Sequence, residues 1–219
     1  MARLLFEKTG RAVWISHLDL MRLFQRAFKR AGLRLTHTQG FNPRPSVSIA
    51  LPLSVGVGSC CELLDFDLDG DTPGCEEIRD KLNKALVEGV RVLDVYEAGR
   101  KLRELSLLSC AVTLEYDADV AKGTVDDINA LFARDALPVE KKSKNGPVEQ
   151  DIIPMIKRLT VQERDAHTVE ISAVICCQNP SMNPMQIAQA VQRYLPDRKP
   201  DHCVCRRLEL YDANEKIFR

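Results

Sequence analysis

Between residues 17 and 31 the apolar side chains Leu20, Leu23, Phe24, Ala27, Phe28 and Ala31 recur at three- and four-residue spacing, while Arg22, Arg26, Lys29 and Arg30 gather on the opposite side. That period predicts one strongly amphipathic helix. Ser16 stands just before it with Asp19 three residues on, a start resembling a capping box, and Gly32 supplies a left-handed stop. Around this helix the pattern alternates instead. Residues 3–8 read as a strand, 9–11 as a turn, 34–38 as a short strand and 46–53 as extended chain. Residues 62–68 alternate clearly, with Leu64, Phe66 and Leu68 facing one way and Asp65 and Asp67 the other. Asp71-Thr72-Pro73-Gly74 opens a second helix through Ile78, Leu82 and Ala85 to a stop at Gly89, and residues 90–96 return as a strand. Strand, helix, strand, strand, helix, strand is the split βαβ order of a ferredoxin-like module.

The order repeats after a polar, basic stretch at 98–104. Residues 107–116 alternate as a strand, Thr124 is expected to cap a helix with Asp127 three residues later, and 137–143 read as a second strand. Asn145-Gly146-Pro147 predicts a turn in an exposed, lysine-rich hairpin. Strands follow at 152–161 and 168–177, Asn183-Pro184 starts a helix through Ile187, Ala190, Val191 and Tyr194, and 202–211 close as a strand. The expected class is α+β: two tandem ferredoxin-like (βαββαβ) modules, 1–98 and 106–219, with antiparallel sheets and helices on one face. No residue-level repeat accompanies the repeated order.

Composition adds class limits. Of 219 residues, 45% are hydrophobic and 28% charged, an ordinary soluble, foldable balance. No run approaches the roughly 18 apolar residues of a membrane span. Residues 1–11 read as strand and turn rather than a secretory leader, which predicts a cytoplasmic protein with no membrane contact. Net charge is zero, yet residues 1–45 hold nine Lys/Arg against two acids, and the remainder holds 22 basic against 29 acidic groups. Such polarity suits a polyanion at one end, an acidic protein surface, or simply a solvated basic helix face. The eight cysteines include no C-x-x-C pair and read as small core hydrophobes in a reducing compartment. His202 beside Cys203 and Cys205 is the residual metal candidate; neither metal nor cofactor is expected.

Two features carry candidate chemistry. His17 falls on the apolar side of the helix in its first turn, where the positive end of the macrodipole disfavours an imidazolium. Either it is a core-edge histidine, or a neutral ring that accepts a proton or contacts a ligand at a helix N-terminus. The second feature is Gln39-Gly40-Phe41-Asn42-Pro43-Arg44-Pro45. The prolines hold Asn42 and Arg44 extended, and Gly40 permits positive φ, so the loop is stiff. It is either a rigid connector or a platform on which Phe41 stacks a planar group while Gln39, Asn42 and Arg44 bond its edges or a phosphate. Gly56 and Gly58 add backbone amides that an anion can use.

The stretches ISHLDLMRLFQRAFKRAGL, TQGFNPRPSVSIALPLSVGVGS and CELLDFDL resemble a bacterial domain of unknown function associated with radical SAM proteins. Ser16, His17, Asp19, Gln39, Gly40, Phe41, Asn42, Pro43, Pro45, Pro52, Gly56 and Glu62 stand at that family's motif positions, and Arg44 stands where many relatives have histidine. The resemblance implies a stand-alone accessory to a radical SAM protein acting in trans, since the chain lacks the C-x-x-x-C-x-x-C cradle. Its relatives' neighbourhood of RNA-processing and ribosomal genes implies a tRNA- or rRNA-linked substrate. The leading expectation is a binding module that holds RNA or a nucleotide-like anion through Arg22, Arg26 and Arg30 (phosphate), Phe41 (stacking), Gln39 and Asn42 (hydrogen bonds), and His17 and Arg44. The alternatives are a metal-independent endoribonuclease with His17 as general acid or base and Arg44 or Lys8 stabilising a phosphorane, and a protein-docking adaptor. The recognition site so drawn depends on the helix start and the proline-stiffened loop meeting at one pocket beside a cationic surface.

Overall fold

The computed structural model describes residues 1–143 and 146–219. The class is α+β, with four α-helices among the described residues and antiparallel strand pairing. The chain divides into two compact units, residues 1–102 with Arg219 and residues 103–218.

The first unit comprises β1 (Ala2–Lys8), α1 (His17–Arg30), β2 (Val47–Ile49), β3 (Val57–Phe66), α2 (Cys75–Ala85) and β4 (Val90–Glu97). Its strands lie in the spatial order β4-β1-β3-β2, every neighbour antiparallel. The stripe read from the sequence is the face that α1 buries. Leu20, Phe24, Ala27 and Phe28 pack with Leu4 and Phe6 of β1, Leu64 and Phe66 of β3, and Ile78 and Leu82 of α2. The Phe6 and Phe24 rings meet edge-on at 4.8 Å, and Phe28 tilts against Phe66 at 4.9 Å, geometries that add to area burial.

The other side of this sheet departs from the simple alternation. Asp65 does point away from Leu64 and Phe66, but it is buried there and paired to Arg3, its register partner on β1. Its polarity thus marks a buried ion pair rather than a wet face. The Gly-x-Gly expected to offer amides to an anion does not do so. The Gly56 amide donates to Val13 O at 2.9 Å, and Gly58 lies inside β3. Gly89 is where a side chain is least tolerable: its φ is +83°, a Cβ there would stand 2.5 Å from Thr9 O, and its own carbonyl accepts from the Thr9 amide at 2.7 Å.

The second unit comprises β5 (Leu105–Glu115), α3 (Thr124–Phe132), β6 (Pro138–Ser143), β7 (Gly146–Asp151), β8 (Ile156–Asp165), β9 (Thr168–Cys176), α4 (Met185–Tyr194) and β10 (His202–Asp212). Its main sheet runs β10-β5-β9-β8. The segment expected as the second strand of this sheet, 137–143, instead pairs only with β7 in a separate two-stranded ribbon, and β8 takes the sheet position. Pro138 and Pro147 cannot donate to a ladder, which suits them to a ribbon rather than a sheet interior. The turn predicted at Asn145-Gly146-Pro147 begins outside the described residues. Thr124 is not a side-chain cap either: Gly123 holds the cap position at φ +86°, and the Thr124 hydroxyl donates to Ala121 O at 2.6 Å.

Candidate functional site

α1 begins as its sequence dictates. The Ser16 hydroxyl accepts from the Asp19 amide at 3.2 Å and donates to Asp19 Oδ2 at 2.8 Å, and Gly32 at φ +71° ends the helix. Burial of the stripe then turns Arg22, Arg26, Lys29 and Arg30 outward. Arg22, Arg26 and Arg30, at successive i, i+4 positions, line one cavity of about 380 Å³ together with Ile15, Asp19 and Val87. Two of the three are oriented by the protein. Arg22 Nη1 donates to Asp19 Oδ1 at 3.0 Å, and Arg30 Nη2 donates to Ala85 O at 2.6 Å, at the end of α2. Among the described residues Arg26 makes no hydrogen bond or ion pair, so its donors face the cavity's occupant or solvent. The Ser16 hydroxyl, then the Arg22 guanidinium, hold the Asp19 carboxyl below the usual carboxylate range. The cavity therefore carries three cations against one carboxylate.

The other predicted residues are not gathered there. His17 is the first residue of α1 and half-buried, and its Nδ1 is buried with no partner among the described residues. The loop carrying Gln39, Phe41, Asn42 and Arg44 is an exposed hairpin. Its base is closed by the Thr38 amide to Arg44 O at 2.9 Å, the Arg44 amide to Thr38 Oγ1 at 3.0 Å, and a His37–Pro45 bridge. Phe41 stands wholly in solvent, at 112% of its reference exposure. The hairpin roots at the end of β3, through the Thr36 amide to Asp67 O at 3.0 Å, whereas the segment leading to His17 is tied to the start of β3 through Gly56. α1, at 14 residues, separates those two ends by about 20 Å. The expected convergence of His17 with Gln39, Asn42 and Arg44 on one pocket is therefore not what the fold builds, and none of these four, nor Phe41, lines the arginine cavity or a second one on the other flank of α1.

Lys8, the alternative phosphorane-stabilising cation, is fully buried at 0% exposure, with Nζ donating to Val13 O at 3.1 Å and Ile15 O at 2.8 Å. It holds the 3₁₀ turn Gly10–Trp14 that precedes α1 and meets no solvent. Two residues that sequence reasoning left unassigned are exposed beside α1. Trp14 lies against the Gly56 backbone with most of its indole in water, and His37 lines the second cavity beside α1.

Five of the eight thiols fit the reading as core hydrophobes, whereas Cys60 and Cys203 are half-buried and Cys75, the first residue of α2, is exposed. Cys61, Cys110, Cys176, Cys177 and Cys205 are buried, and burial pushes both Cys177 and Cys205 up to about 12. Cys176 pairs with Leu107 and His202 with Glu115, at opposite ends of β5, roughly 26 Å apart at strand spacing. Among the described residues no group of three His, Cys, Asp or Glu side chains is arranged to hold a metal ion, and no helix is long and apolar enough to cross a membrane.

A family model for a bacterial protein described as uncharacterized matches residues 2–184. No curated protein matches the chain in sequence. Among solved structures, a chain of a Cbf5-Nop10-Gar1 complex is similar with a TM-score of 0.55 at 10% identity, covering 95% of this chain and 48% of that one. A chain of the archaeal box H/ACA sRNP Nop10-Cbf5 complex gives 0.41 at 10% identity, covering 94% and 46%. The chain thus spans about half the length of these solved chains, and the first likeness is one of fold alone.

Proposed function

The chain belongs to the family of uncharacterized proteins conserved in bacteria (DUF2344), and from that premise we propose that it is an anion-binding accessory module, holding RNA or a nucleotide-like substrate for a radical SAM protein acting in trans. The observation that carries this reading is the cavity lined by Arg22, Arg26 and Arg30. Guanidinium groups one helical turn apart match a run of phosphates better than a single compact anion, and each offers paired donors to phosphate oxygens. The radical SAM partner comes from the sequence resemblance. The strand orders β4-β1-β3-β2 and β10-β5-β9-β8, each threaded by two helices, support reading the halves as tandem ferredoxin-like modules. β6 and β7 are then an insertion in the second module. The cytoplasm is the compartment that suits both a reduced thiol set and an RNA ligand.

The test is equilibrium binding of tRNA and rRNA fragments across a salt series. Binding is expected to weaken steeply with salt, and the double charge reversal Arg22→Glu with Arg26→Glu is expected to weaken it by about tenfold or more while flattening the salt slope. Curves that are flat across salt and RNA type, or unchanged in the double variant, remove the reading. The docking alternative has one observation of its own, the exposed Trp14 and Val55 beside Gly56. A double variant that still binds RNA but no longer co-purifies with the radical SAM protein selects it.

A further inference from the structure

On the other flank of α1 lies a second cavity, of about 460 Å³, within the range of roughly 300–1,000 Å³ typical of small-ligand sites. Its walls come from the last turns of α1 and from the segment that leads into the exposed hairpin: Gln25 and Lys29 on one side, Arg34, Leu35, His37 and Pro45 on the other. The lining is of two kinds. Leu35 and Pro45, with Leu33 buried beside them, give an apolar surface. Gln25, Lys29, Arg34 and His37 give donors, and among the described residues none of these four side chains makes a hydrogen bond or ion pair with the protein. Asp69 is the single carboxylate in the lining, set against two permanent cations. The His37–Pro45 bridge that closes the hairpin carrying Phe41 is itself part of the wall.

A ligand that uses the whole lining needs an apolar, flat body, an edge rich in hydrogen-bonding groups and an anionic end. A bare phosphate leaves the Leu35–Pro45 surface unused, and a fatty acid leaves Gln25 and His37 without partners, each at a desolvation cost. We propose that this cavity binds a single nucleotide, its base against Leu35 and Pro45 with an edge met by Gln25 and His37, its phosphate held by Lys29 and Arg34. This rests on the reading of α1 as an RNA-facing helix and deepens it: the arginine cavity takes phosphates in series, and the cavity across the helix takes one base. The site is read in space rather than along the chain, because its walls are separated in sequence by the helix stop and by the hairpin.

Isothermal titration of the full chain with each of the four nucleoside 5′-monophosphates, at roughly 0.5 M salt so that loose charge contacts are screened, tests this, with adenosine and inorganic phosphate as comparison probes. At least one monophosphate is expected to bind more tightly than either comparison probe. Arg34→Ala with His37→Ala should weaken it by about tenfold or more, while Arg22→Glu with Arg26→Glu should leave it unchanged. Absence of monophosphate binding overturns the proposal, as does equal binding of inorganic phosphate, or an unchanged affinity in the Arg34/His37 variant. The two readings fail separately. Monophosphate binding that persists while RNA binding ignores Arg22 and Arg26 removes the arginine cavity from the account; loss of monophosphate binding with salt-dependent RNA binding intact removes only the nucleotide site.

Discussion

Asp65→Ala is expected to destabilise the first unit by about 3–5 kcal/mol, the cost of stranding one member of a buried ion pair. Arg3 Nε donates to Asp65 Oδ1 at 2.6 Å and Arg3 Nη2 to Asp65 Oδ2 at 3.1 Å, a bidentate pair across the β1–β3 ladder, and the two side chains are 1% and 9% exposed. Arg3 Nη2 also donates to Arg100 O at 2.9 Å, so the guanidinium is fixed from two directions and cannot leave for water without opening the end of the unit. Truncating the carboxylate keeps the guanidinium buried while removing the bidentate acceptor that faces it. Replacing both members by apolar residues, Arg3→Met with Asp65→Leu, should recover most of the loss, because then neither charge of the pair is buried. Urea unfolding of the two single variants and the double variant measures the coupling. A single-variant loss below about 1 kcal/mol would place the pair with ordinary surface ion pairs. RNA binding by the folded fraction should survive, because Arg3 and Asp65 lie on the sheet face opposite the one that Leu4 and Leu64 present to α1.

What the sequence disclosed and what it withheld divide by the range of the interaction. α1 was legible to the residue because its determinants are local: the apolar period, Ser16 with Asp19, and Gly32 all act within a turn or two. Element order was largely legible for the same reason, with exceptions at 34–38, read as a strand where only isolated bridges at Leu35 and His37 form, and at 137–143. The side that Asp65 faces was legible from alternation, but its burial against Arg3 was not, because that partner is 62 residues away. The Gly56 amide was misjudged because its acceptor, Val13 O, is supplied by the turn before α1. The ribbon of β6 and β7 was half visible, in Pro138 and Pro147, but only the competing strand β8 reveals that the sheet position was taken. For the site, the arginine row was visible as helix periodicity and the hairpin as proline stiffness. Their separation was not, since it follows from which ends of β3 the two segments reach. His37 had no local signal: it stands between Thr36 and Thr38 with Leu35 two positions away on the same face, and only the return of Pro45 makes it a cavity wall.

Lys8→Met is the second large effect, expected to cost about 3 kcal/mol through the loss of two charge-assisted hydrogen bonds in a dry site, after which Val13 O keeps the Gly56 amide as its donor among the described residues. The register of β1 against β3 shifts between Phe6 and Lys8, which aims the Lys8 side chain at the following turn, where its ammonium is a donor to both Val13 O and Ile15 O. Methionine keeps an unbranched apolar stem of similar bulk, so packing is largely conserved and the loss reports the ammonium's polar interactions taken together. The affected turn sets where Ser16 begins α1, and through α1 it sets the direction of the arginine row. Hydrogen exchange should therefore show protection lost first at the amides of Ile15 and Leu20, which bond within the turn leading into α1 and its first turn, before the rest of the helix opens. Binding of RNA should fall only with the folded fraction. The endoribonuclease alternative requires the reverse pattern, a lysine whose loss spares stability and abolishes an activity. Chemical denaturation with parallel RNA assays distinguishes them, and a Lys8→Met protein as stable as the parent would reopen that lysine to chemistry.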